Sequence, residues 1–493
     1  MAWNASRSRN RIAEHLKTVP NFDETITLSK QAVQKRLLAD GALDKLTNRK
    51  AFVVEGAHLY GHLLDYDQMV LDAQGRETEQ SHVLLLRFLD AQYRLWDAIV
   101  DDGGAERVDF HGTRLHAIVS EPAGDPIAQV EKAVALANTL KMATAKIAAL
   151  IGVPGRVRFG IDQGKCLALT TGRHFDKDIL FMGRPANYAA KLAAGGKEPG
   201  VFVSESANRH LEPNMRLHSS TFGVEIGTAR TEIVSRKYRF QRVEEAATQI
   251  AISEVVSKQF GFFSPNLPLS ELKFADLSPS RTARLGLASL FADIDGFTAF
   301  VDRAILNGSD AIKEAATGIH IVREELNDVL KIDFEGKRIR FIGDCIHGTI
   351  AVGQSTAKPT QSIREAALCA SGMQSSFALC KQAIPAIAEL GLAIGIEYGD
   401  AAITRLGNRG DESIRCAAGK SIVVSEIVQQ EIEDSGVKLG PVALANADEE
   451  TQQHFADSQS ILGYSEAVDL LGDIRSPAFS IISNDKSARP HCA

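Results

Sequence analysis

Ser289-Leu-Phe-Ala-Asp293-Ile-Asp-Gly-Phe-Thr298 reads as an apolar strand that ends in acid, turns at a glycine and starts a helix. Fifty-one residues beyond the first aspartate, Arg340-Phe-Ile-Gly-Asp344-Cys reads as a strand entering a hairpin turn with a second aspartate at its tip. If those two strands are neighbours, both carboxylates meet at one sheet edge. Two carboxylates with a backbone carbonyl suit a hard, oxygen-seeking cation such as Mg2+ or Mn2+. The helix start at Gly296, Phe297 and Thr298 offers N–H groups that lack an acceptor within the helix, and such groups suit phosphate oxygens. A lone Gly-Asp is usually a turn, and a lone Asp after a strand is commonly a helix cap. The pairing points to metal-assisted chemistry on a phosphate.

An internal repeat supplies the elements that must position these groups, with an offset of about 235 residues. Phe159-Gly-Ile-Asp-Gln-Gly164 recurs as Ile394-Gly-Ile-Glu-Tyr-Gly399, each after a long helix with apolar residues three and four apart. Arg107-Val-Asp-Phe-His-Gly-Thr113 matches Arg338-Ile-Arg-Phe-Ile-Gly-Asp344. Asn187-Tyr-Ala-Ala-Lys-Leu192 is aligned with Arg415-Cys-Ala-Ala-Gly-Lys420, and Val201-Phe-Val-Ser-Glu205 with Ile422-Val-Val-Ser-Glu426. Strands covered by helices on one face predict an α+β fold of two tandem ferredoxin-like domains. The expected boundaries are a helical extension over 1–50, a first domain over 51–257, a Pro- and Ser-rich linker over 258–285, and a second domain over 286–493.

Phe-Ala-Asp-Ile-Asp-Gly-Phe-Thr followed by Arg-Phe-Ile-Gly-Asp resembles the catalytic signature of the class III adenylate and guanylate cyclases. The resemblance implies that Asp293 and Asp344 hold two divalent cations, with Ile294 lending its carbonyl. It also implies an active site shared by two domains, the second supplying an Asn and an Arg from one helical face. Gly183-Arg-Pro-Ala-Asn187-Tyr-Ala-Ala-Lys191 carries that Asn, and Lys191 replaces the Arg as a point charge without the planar fork. In the other copy the alignment puts Arg415 and Gly419 at these positions, while the metal positions of the first half become Val53 or Val54 and Thr113. Each half lacks what the other keeps, so one working site within a single chain, active as a monomer, is expected.

The family reads adenine with a Lys and an Asp or Thr at positions that here are Asp109 and Leu180. That pair is absent, and Arg340 is expected to face the degenerate site. Hydrogen-bond logic leaves the base open. Overall likeness resembles the pyrimidine cyclases of the Pycsar antiphage systems. This implies UTP as the favoured substrate, cyclic UMP as product and a separate effector that binds it. An adenylate cyclase with an unusual pocket, or an inactive nucleotide sensor, are the alternatives.

A net charge of −7 argues against general nucleic-acid binding. No uninterrupted apolar run reaches the ~20 residues of a membrane span, Lys141 and Lys146 interrupting the most apolar stretch. The basic N-terminus lacks an apolar segment behind it, and the six cysteines show no CxxC spacing. Buried thiols and a cytoplasmic location are expected. Arg236, Lys237 and Arg239 form a basic cluster that is a candidate for the γ-phosphate.

Overall fold

The computed structural model describes residues 2–19, 27–28, 51–171, 178–217, 223–238, 258–353, 358–408, 413–455 and 462–472. The repeat folds twice into the same arrangement. In the first half, β2 (Ala51–Leu63) lies between β4 (Arg114–Val119) and β5 (Val157–Thr171), with β3 (Glu106–His111) outside β4 and β7 (Gly200–Ser204) outside β5. In the second, β10 (Thr282–Asp295) lies between β12 (Cys345–Ile350) and β13 (Gly391–Leu406), with β11 (Lys337–Ile342) and β15 (Gly436–Leu439) outside them. Both β3 and β11 carry a register shift at the equivalent place, Arg107/Asp109 and Arg338/Arg340.

Helices cover the sheets, and local signals set their ends. α4 (Pro126–Ile151) starts with the Asp125 side chain accepting from the Ala128 N–H at 3.0 Å and with Pro126 in its first turn. It stops at Gly152, whose φ of 78° only glycine adopts readily. α4 is long and apolar enough by composition to cross a membrane. Its Val130, Val134, Leu136 and Leu140 are buried in the first core beside Trp96, Phe110 and Phe159. Lys141 and Lys146 therefore interrupt the sequence without interrupting the buried face.

The halves exchange arms. β5 runs on to pair with β6 (Asp178–Met182), and Leu167, Leu169, Leu180 and Met182 of this arm are buried with Leu290, Ile294 and Phe297 of the second half. Reciprocally, β13 pairs with β14 (Ile414–Ala418), and Leu406, Ile414 and Cys416 join the first half's core. Neither core is complete without the other, because each arm presents apolar residues that its own sheet cannot cover.

The stretch 258–285, expected as a linker, is packed. Leu269, Phe274 and Leu277 are buried against Phe291 and Ile339, Phe262–Phe263 pair in parallel with Thr282–Ala283, and β10 begins at Thr282. The Pro and Ser residues mark turns here, while the interspersed Leu and Phe supply a core face. Of the N-terminal extension, α1 (Ala5–Thr18) is helical, and residues 1, 20–26 and 29–50 lie outside the described residues.

α1 docks on α9 (Ser309–Asp328) and on the turn that follows it, through a buried charge network. Arg11 donates to Glu325 at 2.7 Å and to Asp333 at 2.9 Å, both carboxylate side chains being fully buried. Arg7 adds a bond to Asp333 at 2.6 Å, and Ser8 one to Glu325 at 2.8 Å. Arg11→Ala leaves two buried carboxylates short of their principal cation. A loss of about 3 kcal/mol is expected, measured as a lower urea midpoint at unchanged slope.

Candidate active site between the two halves

The metal corner is built by β10 and the β11–β12 hairpin. In the ladder Ala292 faces Ile346 and Ile342 faces Cys345, so Gly343 and Asp344 make a two-residue turn beside the end of β10. Gly343 takes a φ of 61°, and Gly296 takes 77° where β10 turns into α8 (Phe297–Asn307). Asp293 and Asp344 keep some accessible surface but are crowded by protein and by each other. Burial first, then the neighbouring carboxylates, push Asp293 up to about 6 and Asp344 well above the usual carboxylate range. Two like charges forced together by the backbone call for a cation, and hard oxygen donors fit Mg2+ or Mn2+. Ile294 is 2 % exposed, so only its backbone faces this chemistry.

Two cations of the chain offset part of that repulsion. Arg323, 1 % exposed on α9, stacks on Phe341 at 3.8 Å and favours the charged form of Asp344. Lys191 favours the charged form of Asp293, and it comes from the other half.

α5 (Arg184–Ala194) carries Asn187 and Lys191 one turn apart on one face. The Asn187 amide donates to the Thr298 hydroxyl in a very short hydrogen bond, and the Arg184 N–H donates to Asp302 Oδ1 at 2.8 Å. The first half's helix thus docks on the first turn of α8. The structure brings together Asp293, Asp344, Thr298, Asn187 and Lys191, with Gly296 and Phe297 in the same turn. Phe297 is buried, so only its backbone is available to an anion.

The degenerate copy needs three corrections. Strand register equates Asp293 with His62, since His62 pairs with Arg114 and Gly61 with Leu115 where Ala292 pairs with Ile346. The His62 ring nitrogen lies 3.4 Å from the Thr113 hydroxyl, confirming the pair. Val53 and Val54 sit nine and eight residues earlier in the strand, buried. The equal separation of 51 residues, His62 to Thr113 and Asp293 to Asp344, was the overlooked signal.

Likewise, the counterparts of Asn187 and Lys191 are Val423 and Ile427 on α11 (Lys420–Gln430), not Arg415 and Gly419. Met182 closes on Leu167 as Ala418 closes on Ala402, which aligns Gly183 with Gly419. Finally, Val201 belongs to a strand that pairs with Phe159, and its equivalent is Val437. Ile422-Val-Val-Ser-Glu426 is helical despite its β-branched residues, because the helix packs by one face against β10 and β13.

Of the two base positions, Leu180 is 2 % exposed in the shared core and offers no polar atom. Asp109 keeps its carboxylate at the interface, but Arg340 of the other half donates to both its oxygens at 3.0 Å and to the Arg415 carbonyl at 2.7 Å. Arg340 lines a pocket at the degenerate end, as expected, and from there also holds the Asp109 carboxylate. Lys237 is held by Glu212 at 2.7 Å and Glu131 at 3.2 Å, on a helix packed against α4, and Arg239 lies outside the described residues. Cys166, Cys345, Cys369, Cys380 and Cys416 are buried.

Because Asp293 and Asp344 have raised folded-state pKa values, the metal-free fold is favoured below the usual carboxylate range. It loses the Asp293 contribution as the pH rises through about 6, and the Asp344 contribution as that raised carboxyl ionises in turn. A divalent cation needs both groups ionised, so the order inverts when Mn2+ is present. Thermal melts at pH 5.5 and 7.5 are expected to show a Mn2+-dependent gain only at the higher pH, about 2.7 kcal/mol at a hundredfold excess over Kd. Asp344→Asn should abolish that gain and raise the metal-free melting temperature at pH 7.5.

Residues 72–233 match the model of the adenylate and guanylate cyclase catalytic domain. A uridylate cyclase of a Rhizobium species is 35% identical over 489 residues, covering 92% of this chain and 93% of that one. A uridylate cyclase of Pseudomonas aeruginosa is 32% identical, covering 99% and 98%. The crystal structure of a class III adenylyl cyclase-like ATP-binding protein from Pseudomonas aeruginosa superposes with a TM-score of 0.85 at 30% identity, covering 96% of this chain and all of that one. With two aspartates on one half and an Asn–Lys pair reaching them from the other, the chain belongs to the class III nucleotide cyclases.

Proposed function

We propose that the chain converts UTP to 3′,5′-cyclic UMP and diphosphate at a single site between its two halves. The observation that carries this reading is the Asn187–Thr298 contact, which joins the Asn–Lys helix to the aspartate corner at one end only. At the other end His62, Thr113, Val423 and Ile427 offer neither the paired carboxylates nor the Asn. The choice of uridine rests on the two relatives named uridylate cyclase, similar over nearly the whole chain.

In this reading the ribose 3′-oxygen attacks the α-phosphorus, the bond to the β-phosphate oxygen breaks, and the hydroxyl proton leaves. Asp293, Asp344 and the Ile294 carbonyl hold two divalent cations, Mn2+ or Mg2+, which when bound screen the triphosphate and acidify the 3′-hydroxyl. Asn187 orients the ribose, giving up its bond to Thr298 or sharing it. Lys191 stabilises charge on the α-phosphate as a point charge. The N–H groups at Gly296, Phe297 and Thr298 bind phosphate oxygens.

A first domain near 51–257, a second that includes the packed stretch from 258 onward, action as a monomer in the cytoplasm, and signalling to a separate effector in antiphage defence belong to the same proposal. The solved relative described as ATP-binding makes adenine the second base to test.

Purified chain with Mn2+ and each of the four ribonucleoside triphosphates, read by mass spectrometry, should yield cyclic UMP as the main product. Cyclic AMP alone would overturn the uridine reading, and no cyclic product would leave a nucleotide-binding sensor. Asn187→Ala should lower kcat about a hundredfold, and mixing Asn187→Ala with Asp293→Ala chains should restore nothing. Recovery on mixing would mean that sites form between chains.

A further inference from the structure

The degenerate end of the interface is lined by the protein's own charges, which border a pocket between His111, Thr113, Arg114, Arg340 and Glu426. Glu426 projects from α11 of the second half, and its carboxylate receives a very short bond from Arg114 Nη1 of the first. Its other oxygen lies 3.8 Å from His111. Arg114 follows Thr113 in the hairpin, and its Nε lies 3.3 Å from the His62 ring. The Glu426 and Arg114 side chains are only 15% and 22% exposed, and the Arg114 guanidinium and His111 hold the carboxyl well below its usual range.

Pseudo-symmetry gives this ion pair its meaning. By the register established above, the working-site counterparts of Arg114 and Glu426 are Cys345 and Ala190. The same backbone positions thus hold two small neutral side chains where metals and a triphosphate must fit, and a cation with an anion where they do not. The ion pair joins the two halves across one end of a pseudo-twofold interface, on the wall of the pocket there. Glu426 also lies on the helix packed against β10, the strand that carries Asp293 near its end.

We propose that the Arg114–Glu426 pair is a fixed clamp between the halves, and that both residues act as positioning residues for the cyclisation. Without the clamp, Asn187 and Lys191 lose their register against Asp293 and Asp344. The proposal rests on the cyclase reading above.

The test uses the full chain carrying Glu426→Gln, Arg114→Met, or both. Each single change leaves one charge uncompensated in a crowded pocket and should lower stability, and the double change should recover most of it. The clamp requires kcat to fall about ten- to hundredfold in all three, with KM for the nucleotide within threefold. In particular, kcat should stay low in the double variant although its melting temperature returns. A kcat that recovers together with stability, or a loss confined to KM, overturns the proposal. If the wild-type chain forms no cyclic product, the cyclase reading fails. The urea double-mutant cycle then decides the clamp alone, additive effects refuting it.

Discussion

Asp293 and Asp344 are held side by side by covalent and ladder geometry, one at a strand end and one in a two-residue turn, and they repel each other. That repulsion organises the surroundings. Arg323 lies buried against Phe341 near one carboxylate, and Lys191 approaches the other from the opposite half. Neither side chain equals a divalent ion in charge density or in the number of oxygens it can bridge. The corner stays a high-energy arrangement that a metal relieves, and binding energy is stored where the chemistry needs it.

The second half cannot use that corner alone. The β5–β6 arm of the first half enters its core, and this arm delivers α5 to the first turn of α8. Packing and the placement of Asn187 beside Thr298 therefore depend on the same exchange. A rearrangement of the arms that lowered stability would also move Asn187. Because the exchange is reciprocal, the interface has two ends, and only side-chain identity separates them. One end keeps the paired aspartates, and the other keeps His62, Thr113 and an ion pair beside a pocket.

The α1 network adds a third layer to the catalytic half. Arg7 and Arg11 close on Glu325 and Asp333, at and just beyond the end of α9, before the chain enters β11 and the hairpin that carries Asp344. The N-terminal helix thus supports the element before the metal turn, although it lies more than three hundred residues away in the chain. Arg7 and Arg11 of the basic N-terminus, expected only as part of a helical extension, make that contact.

The sequence alone determined the two aspartates, their hairpin and helix contexts, the tandem repeat and the Asn–Lys helix. Each depends on local pattern: an apolar run ending in acid, a glycine turn, a four-residue spacing. It misled wherever two similar strings take different structures. Val-Phe-Val-Ser-Glu is a strand with its cap, and Val-Val-Ser-Glu is a helix, because packing on β10 overrides β-branched preference. It also hid His62, since a decayed metal position keeps its spacing but not its residue type. Only the tertiary structure decided those equivalences, together with the Asp109–Arg340 and Arg114–Glu426 pairs. Contacts between residues hundreds of positions apart are set by strand register and arm exchange, which no local window of sequence contains.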